Sequence, residues 1–257
     1  MDLPGGWDCV ATLRDGRWIE RRPRRPAVTA QLRREASFLP WLAPALPLRV
    51  PVPRILVDQP GHEFVSTHEL VPGEPLCAFT SANGRRLGRF LRALHSRSSD
   101  DAVRHGLLPA SGAAEDLAND VNLFRRTVLP LVPAGWRPDA QAVLDRVGTF
   151  PFDTVVHGDL GPEHVLTCDD VITGVIDFGD ARCGDAAMDF SWVLHGTPSV
   201  FGEAAAEEYG VTPAVRERAR VWRRLSPWYD VTRGLGTGDA DMVRDGLDGL
   251  VNRLRKP

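Results

Sequence analysis

Two carboxylates in short, glycine-containing loops carry most of the chemical information in this chain. His157-Gly158-Asp159-Leu160-Gly161-Pro162-Glu163-His164 is followed by Ile176-Asp177-Phe178-Gly179-Asp180. Asp159 and Asp177 lie eighteen residues apart, and each follows a β-branched run, Thr154-Val155-Val156 and Val175-Ile176. A strand end is a rigid base from which to aim a carboxylate, and Gly158 allows a tight backbone beside it. The pair suits phosphoryl transfer. One carboxylate can accept the proton of an attacking hydroxyl while the other holds Mg2+ on nucleotide phosphates. Such a hydroxyl needs positioning more than strong base catalysis. Mg2+ prefers hard oxygen donors, which Asp177 offers. His157 is expected to orient its loop by hydrogen bonding rather than to do chemistry.

The elements that must position these loops can be read from periodicity and turn residues. Strands are expected at residues 10–13 and 17–21, joined by an Asp15-Gly16 turn. Thr29 can cap a helix running to about Leu42. Further strands are expected at 54–57 and 63–66. The cluster Val71-Pro72-Gly73-Glu74-Pro75 then marks a boundary between lobes 1–72 and 73–257. Beyond it, Leu87, Phe90, Leu91 and Leu94 have helical spacing, as do Leu117, Val121, Phe124 and Val128. Asp139 can cap a helix through Val147. Strands follow at 154–156, 164–167 and 171–176, then helices at 187–195, 213–225 and 239–254. The fold class is α+β in two lobes, a small β-rich N-terminal one and a larger α-rich one that carries both loops.

Composition excludes several classes. The chain has 257 residues, enough for a sizeable core, and a net charge of −3 gives no footprint for nucleic acid. No apolar run approaches a membrane span and no signal peptide opens the chain, so a cytoplasmic protein is expected. Cys9, Cys77, Cys168 and Cys183 have no metal or redox spacing and read as reduced core thiols. Lys256 is the only lysine. Any role that a lysine would take inside the fold falls to arginine.

These motifs resemble the aminoglycoside phosphotransferase and choline kinase family, the protein-kinase-like small-molecule kinases. The resemblance extends over nearly the whole chain, including GWDCVATLRDGRWIERRPRR, QLRREASFLPWL, HELVPGEPL, LGRFLRALHS and GDARCGDAAMDFSWVL. It is similar above all to the aminoglycoside 2″-kinases and macrolide kinases, which often have histidine where the wider family has asparagine in H-x-D-x-x-x-x-N. The resemblance implies a two-lobed protein-kinase-like fold, with Mg2+ as cofactor and ATP or GTP as phosphate donor. It makes Asp159 the catalytic base and Asp177 the main metal ligand. His164 falls at the asparagine position, a second metal ligand or a group acting through water or hydrogen bonds, since imidazole is softer than an amide oxygen. Arg21 takes the place of the lysine that grips the α- and β-phosphates, with Glu35 as its ion-pair partner. His68 falls at the gatekeeper position, and backbone groups of Glu69 and Val71 are expected to bond the purine. Asp180 and Asp185 also fall in motif positions, Asp185 tying its loop to the next helix. Two departures stand out. Little chain precedes the first strand, with Gly5-Gly6 as a remnant of a nucleotide loop, and Glu20 is charged where an apolar strand residue is expected.

The acceptor is a small molecule, and an aminoglycoside antibiotic is the leading expectation. Such a polycation needs an acidic cleft, for which Glu115, Asp116, Asp120, Glu203, Glu207, Glu208 and Asp230 are candidates. A macrolide would need apolar walls, for which Phe124, Trp136, Trp192, Trp222 and Trp228 are candidates. A metabolite kinase, a catalytically weak nucleotide-binding relative and a protein kinase are the other readings. The last lacks an Ala-Pro-Glu segment after the second loop.

Overall fold

A computed structural model describes residues 8–59, 61 and 63–255. Gly5-Gly6 lies outside the described residues. Strands β1 (Cys9–Arg14) and β2 (Trp18–Pro23) form a hairpin whose central residues, Asp15 and Gly16, both have positive φ, +50° and +64°. That is the turn geometry that matches strand twist, and Asp-Gly adopts it at low cost. Helix α1 (Pro26–Leu42) starts earlier than a Thr29 cap would place it. Pro26 opens the first turn, where its missing N–H costs nothing, and extended Arg25 precedes it. Strands β3 (Arg54–Val57) and β4 (Val65–Glu69) complete an antiparallel sheet of order β1-β2-β4-β3. β4 begins and ends later than residues 63–66, so His68 and Glu69 are its last residues.

Period-two alternation explains Glu20. Ile19 and Arg21 face one side of β2, towards α1, while Glu20 faces the other, where Arg14 and Arg22 each reach it at 3.0 Å. A small core of Cys9, Val28, Leu32 and Phe64 joins the sheet to α1.

Past Gly73 (φ +135°), the short strand β5 (Glu74–Pro75) pairs with a strand of the larger lobe. The helices α2 (Ser81–His95), α3 (Ser99–Arg104), α4 (Ala110–Thr127) and α5 (Arg137–Val147) follow. Leu87, Phe90, Leu91 and Leu94 on α2, and Leu117, Val121 and Phe124 on α4, are buried as their spacing predicts. Asp139 lies in the first turn of α5 rather than at its cap; with Pro138 in that turn, the cap is Trp136, three residues earlier. Strands β6 (Thr154–Val156), β7 (Val165–Cys168), β8 (Val171–Val175) and β9 (Arg182–Gly184) carry the motif loops. His164 is not in a strand; it ends a 3-10 turn, Pro162–His164, just before β7.

Helices α6 (Ala186–His195), α7 (Ser199–Tyr209), α8 (Pro213–Thr237) and α9 (Ala240–Arg255) complete the lobe. Helices α3 and α7 have no counterpart among the elements expected from periodicity, and α8 runs past Leu225, the end expected for it. In fact α8 continues through Pro227, with Trp228 and Val231 buried beyond it. A proline inside a helix leaves the carbonyl four residues back without its N–H. Here that carbonyl belongs to Arg223, and Arg253 of α9 donates to it from Nη1 at 2.8 Å. The packing of α9 thus repairs the break. All four cysteines are free thiols; Cys9 and Cys183 are buried, but Cys77 is exposed rather than in the core. No described helix is long and apolar enough to cross a membrane.

Candidate active site

The loop after β6 is held from behind by a buried carboxylate that the sequence reading did not single out. Asp189, one turn into α6, accepts the His157 N–H at Oδ2 and the Gly158 N–H at Oδ1, both at 2.9 Å. His95, from the end of α2, donates from Nε2 to Oδ2 at 3.0 Å, and Tyr209 of α7 donates its hydroxyl to His95 Nδ1 at 3.0 Å. Burial opposes a charge on Asp189, but the hydrogen bonds from the His95 ring and the His157 backbone outweigh it and hold the carboxyl below its ordinary range. The only sequence signal for this role is the spacing Asp185…Asp189 around the start of a helix. Asp185 itself caps α6 by accepting the Ala187 N–H at 3.1 Å. It also binds Arg218 through both oxygens, at 2.8 and 3.0 Å, and Trp222 at 3.1 Å. Its tie to the following helix is as expected, and it extends to α8.

His157 is fully buried and joins the two motif loops. Its Nε2–H donates to the Ile176 carbonyl at 3.0 Å, and Nδ1 accepts the Asp159 N–H at 3.3 Å. Gly158 has φ +88°, and a Cβ there would stand 2.4 Å from the Asp180 carbonyl oxygen. Glycine is therefore required twice over: for its backbone angle and for the close approach of the second loop. Asp177 also takes a left-handed conformation, φ 63° and ψ 67°, unusual outside glycine.

The two carboxylates face each other across His164. Its Nδ1–H donates to the Asp159 carbonyl at 2.7 Å, which leaves the Nε2 lone pair 3.6 Å from Asp177 Oδ2. Asp159 opens into a cleft with 65% of its side-chain surface accessible, although protein surrounds its other sides. That partial desolvation, then the nearby Asp180 carboxylate, push its carboxyl above the usual range, and His164 and His157 pull the other way. Arg182 binds the Asp180 carboxylate at 3.0 Å.

Arg21 and Glu35 meet as read, at 2.5 Å, with 14% and 4% of their side chains exposed. Burial works against the guanidinium, but Glu35, Cys9 and Asp177 more than compensate and raise its pKa. Asp177 is thus within electrostatic reach of the pair. His68 is buried at the end of β4, and its Nδ1–H donates to the Glu69 carbonyl at 2.9 Å. Burial, first, keeps this imidazole below its ordinary pKa and so neutral. The Glu69 carbonyl has a second lone pair with which to accept another bond. The Leu70 N–H is spent on the Arg17 carbonyl at 2.7 Å.

The Mg2+ that phosphoryl transfer requires finds a partial donor set here. Among the described residues no three His, Cys, Asp or Glu side chains converge on one point. Asp177 and the His164 lone pair fit a cation whose remaining ligands are phosphate oxygens and water.

In front of Asp159 lies a cleft of about 870 Å³ between α4, α6, α8 and the loop after β6. Of the acidic candidates, Asp116, Asp120 and Asp230 line it. Glu115 and Glu207 do not; Glu203 is bound by Arg216, and Glu208 by Arg89 and Arg92. Of the aromatic candidates, Trp192 and Trp222 line it. Phe124 and Trp228 are core, and Trp136 stacks under Arg255.

Solved structures similar to this one are phosphotransferases. The GDP and kanamycin complex of APH(2″)-IIIa superposes with a TM-score of 0.84 at 22% identity, covering 98% of this chain and 92% of the other. Macrolide 2′-phosphotransferase MphH from Brachybacterium faecium gives 0.76 at 24%, covering 100% and 91%. The gentamicin complex of APH(2″)-IIa gives 0.76 at 18%, covering 97% and 90%. These likenesses establish the protein-kinase-like fold. No curated protein sequence matches the chain. The profile of the APH phosphotransferase enzyme family matches residues 3–228, a span that contains both loops, the Arg21–Glu35 pair and most of the cleft, and the chain belongs to that family.

Proposed function

We propose that this protein transfers the γ-phosphate of ATP or GTP to a hydroxyl of a small, amine-bearing molecule, with an aminoglycoside antibiotic as the leading class. One observation carries the reading: Asp159 stands between the Asp177–His164 pair and a cleft lined by Asp116, Asp120 and Asp230. The acceptor hydroxyl binds beside Asp159, whose carboxylate takes its proton. The hydroxyl oxygen bonds to the γ-phosphorus while the bond to the β–γ bridging oxygen breaks, and a nucleoside diphosphate leaves. Arg21, fixed by Glu35, holds phosphate oxygens with its planar fork. His68, Glu69 and Val71 frame the base. Asp177 and His164 would hold Mg2+, which when bound would supply positive charge to the phosphates. The lobes meet near residue 72, and nucleotide binds between them.

A macrolide is the second reading, because Trp192, Trp222 and Met188 supply apolar wall in the same cleft. The test is Mg2+-dependent consumption of ATP and GTP against a panel of aminoglycosides, macrolides and peptide antibiotics. Asp159→Ala should lower turnover by about 10²–10⁴, the usual worth of a positioned base, with folding intact. No turnover with any acceptor, together with no nucleotide binding by calorimetry, would sink the proposal.

A further inference from the structure

The cleft has two poles, and only one of them suits a polycation. At one end Asp120 accepts the Tyr229 hydroxyl at 3.0 Å, with Asp116 one turn before it on α4. At the other end is Arg223 of α8, beside Trp192 and Gly196 at the end of α6. A Cβ on Gly196 would lie 3.0 Å from Arg223 Nη2, so the guanidinium rests against that helix end.

Three other arginines, lining the cleft or on α8, have carboxylate partners. Arg182 has Asp180, Arg216 has Glu203 and Arg218 has Asp185, all within 3.0 Å. Among the described residues Arg223 has no carboxylate within ion-pair distance, and its guanidinium donates no hydrogen bond to protein. Its charged surroundings are of its own sign: it lies within electrostatic reach of Arg253, and it acts together with Arg220 and Arg216 on His195. Burial of this unpaired cation lowers its pKa. A half-buried guanidinium with open donors has the geometry to take a carboxylate through two parallel charge-assisted bonds. Seven positions along α8 separate it from Asp230, about 10 Å of helix.

We propose that Arg223 is a recognition residue for a carboxylate on the acceptor, so that the cleft takes a hydroxylated small molecule with an ammonium at the Asp116–Asp120 end and a carboxylate at Arg223. This rests on the cleft being the acceptor site of the phosphotransferase and narrows it: a molecule with only ammonium groups leaves Arg223 facing like charge.

The probes are kanamycin, the set of its derivatives with one amine succinylated, and the methyl ester of each derivative. Binding to the full-length protein is measured by calorimetry with ATP analogue and Mg2+ present. At least one acid should bind about 10-fold or more tighter than its own ester, in line with a charge-assisted bond of about 1.5–3 kcal/mol. Arg223→Gln should bring that ratio to about one, and Arg223→Lys should restore part of it; thermal unfolding shows whether each variant is folded. If every acid binds no better than its ester, or if the preference survives Arg223→Gln in folded protein, the assignment is wrong. ATP-analogue binding and Mg2+-dependent ATP hydrolysis in the same samples separate the two claims. Intact nucleotide chemistry without an acid preference removes only the role of Arg223, whereas loss of nucleotide binding in the wild type removes the phosphotransferase reading itself.

Discussion

Replacing Asp189 by asparagine tests whether the catalytic loop is held from behind. The carboxylate takes three N–H donors, from His157, Gly158 and His95, at 2.9–3.0 Å. Asparagine keeps the shape but offers one acceptor oxygen and one NH2. If the NH2 takes the Oδ2 place it confronts two donors, so the cheaper arrangement puts it against the Gly158 N–H. One backbone donor is then stranded, at about 1–3 kcal/mol, and the two surviving bonds lose their charge, at roughly 1 kcal/mol each. The total, about 3–5 kcal/mol, is a large part of a typical stability of roughly 5–15 kcal/mol. The variant should therefore fold at 25 °C with a lowered urea midpoint. Because the stranded N–H belongs to the residue before Asp159, kcat should fall about 10²-fold, the cost of an ångström-scale misplacement. Nucleotide affinity should hold within about three-fold, an allowance for the context dependence of such energies, since the Arg21–Glu35 pair is untouched. The wild-type carboxyl is held below its ordinary value, so its contribution is complete above pH of about 4 and is lost as pH falls below that. The variant should lack this acid limb. Urea unfolding followed by circular dichroism from pH 3 to 7, with steady-state kinetics at pH 7, makes the measurement. A variant within about 1 kcal/mol of wild type and with unchanged kcat would refute the reasoning.

Three further outcomes are expected. Because Asp159 titrates above the usual carboxylate range, kcat/KM should fall as pH drops through that raised value; an acid limb at or below about 3.9 in a pH–rate profile would contradict it. Gly158→Ala must both hold a positive φ and displace the Asp180 carbonyl, so it should cost more than the roughly 1–3 kcal/mol of backbone strain alone and lower kcat; thermal unfolding and kinetics check both. His164→Asn exchanges an imidazole for a hard amide oxygen, so the ratio of Mn2+- to Mg2+-supported turnover should decrease; an unchanged ratio would place His164 outside the metal shell.

What the sequence disclosed, and what it hid, follows from the range of each interaction. Asp159 and Asp177 stand out in the sequence because each sits beside a strand end and a glycine, features set by neighbours within a few residues, whereas the bonds of His157 reach Ile176 and Asp189. Arg21 and Glu35 were legible only through resemblance, since nothing local in Arg21-Arg22-Pro23-Arg24-Arg25 says which guanidinium turns inward. Strand alternation decides it, because Arg21 shares a face with Ile19. The length of α8 was hidden for a long-range reason. The bond that Pro227 forfeits is replaced from α9, thirty residues beyond the freed carbonyl. Asp189 was hidden in the same way, its donors lying thirty-one, thirty-two and ninety-four positions away.

Arg223 is the extreme case. It is one arginine among thirty, on a helix rich in them, and its residue type and spacing set it apart from none of its neighbours. What distinguishes it is where the carboxylates are. Asp180, Glu203 and Asp185 each sit against another arginine, and the Arg216–Glu203 and Arg218–Asp185 pairs join elements that the fold brings together. A charge left over after such pairing is a property of the whole fold. In a cleft where six acidic residues face three arginines, acidity by count points to a polycationic acceptor. The pairing pattern points elsewhere, because Asp180 is paired with Arg182 whereas Arg223 has no such partner among the described residues. The charges still open to a ligand are then of both signs. An acceptor that meets them must carry both as well, and its hydroxyl must reach Asp159 from between them.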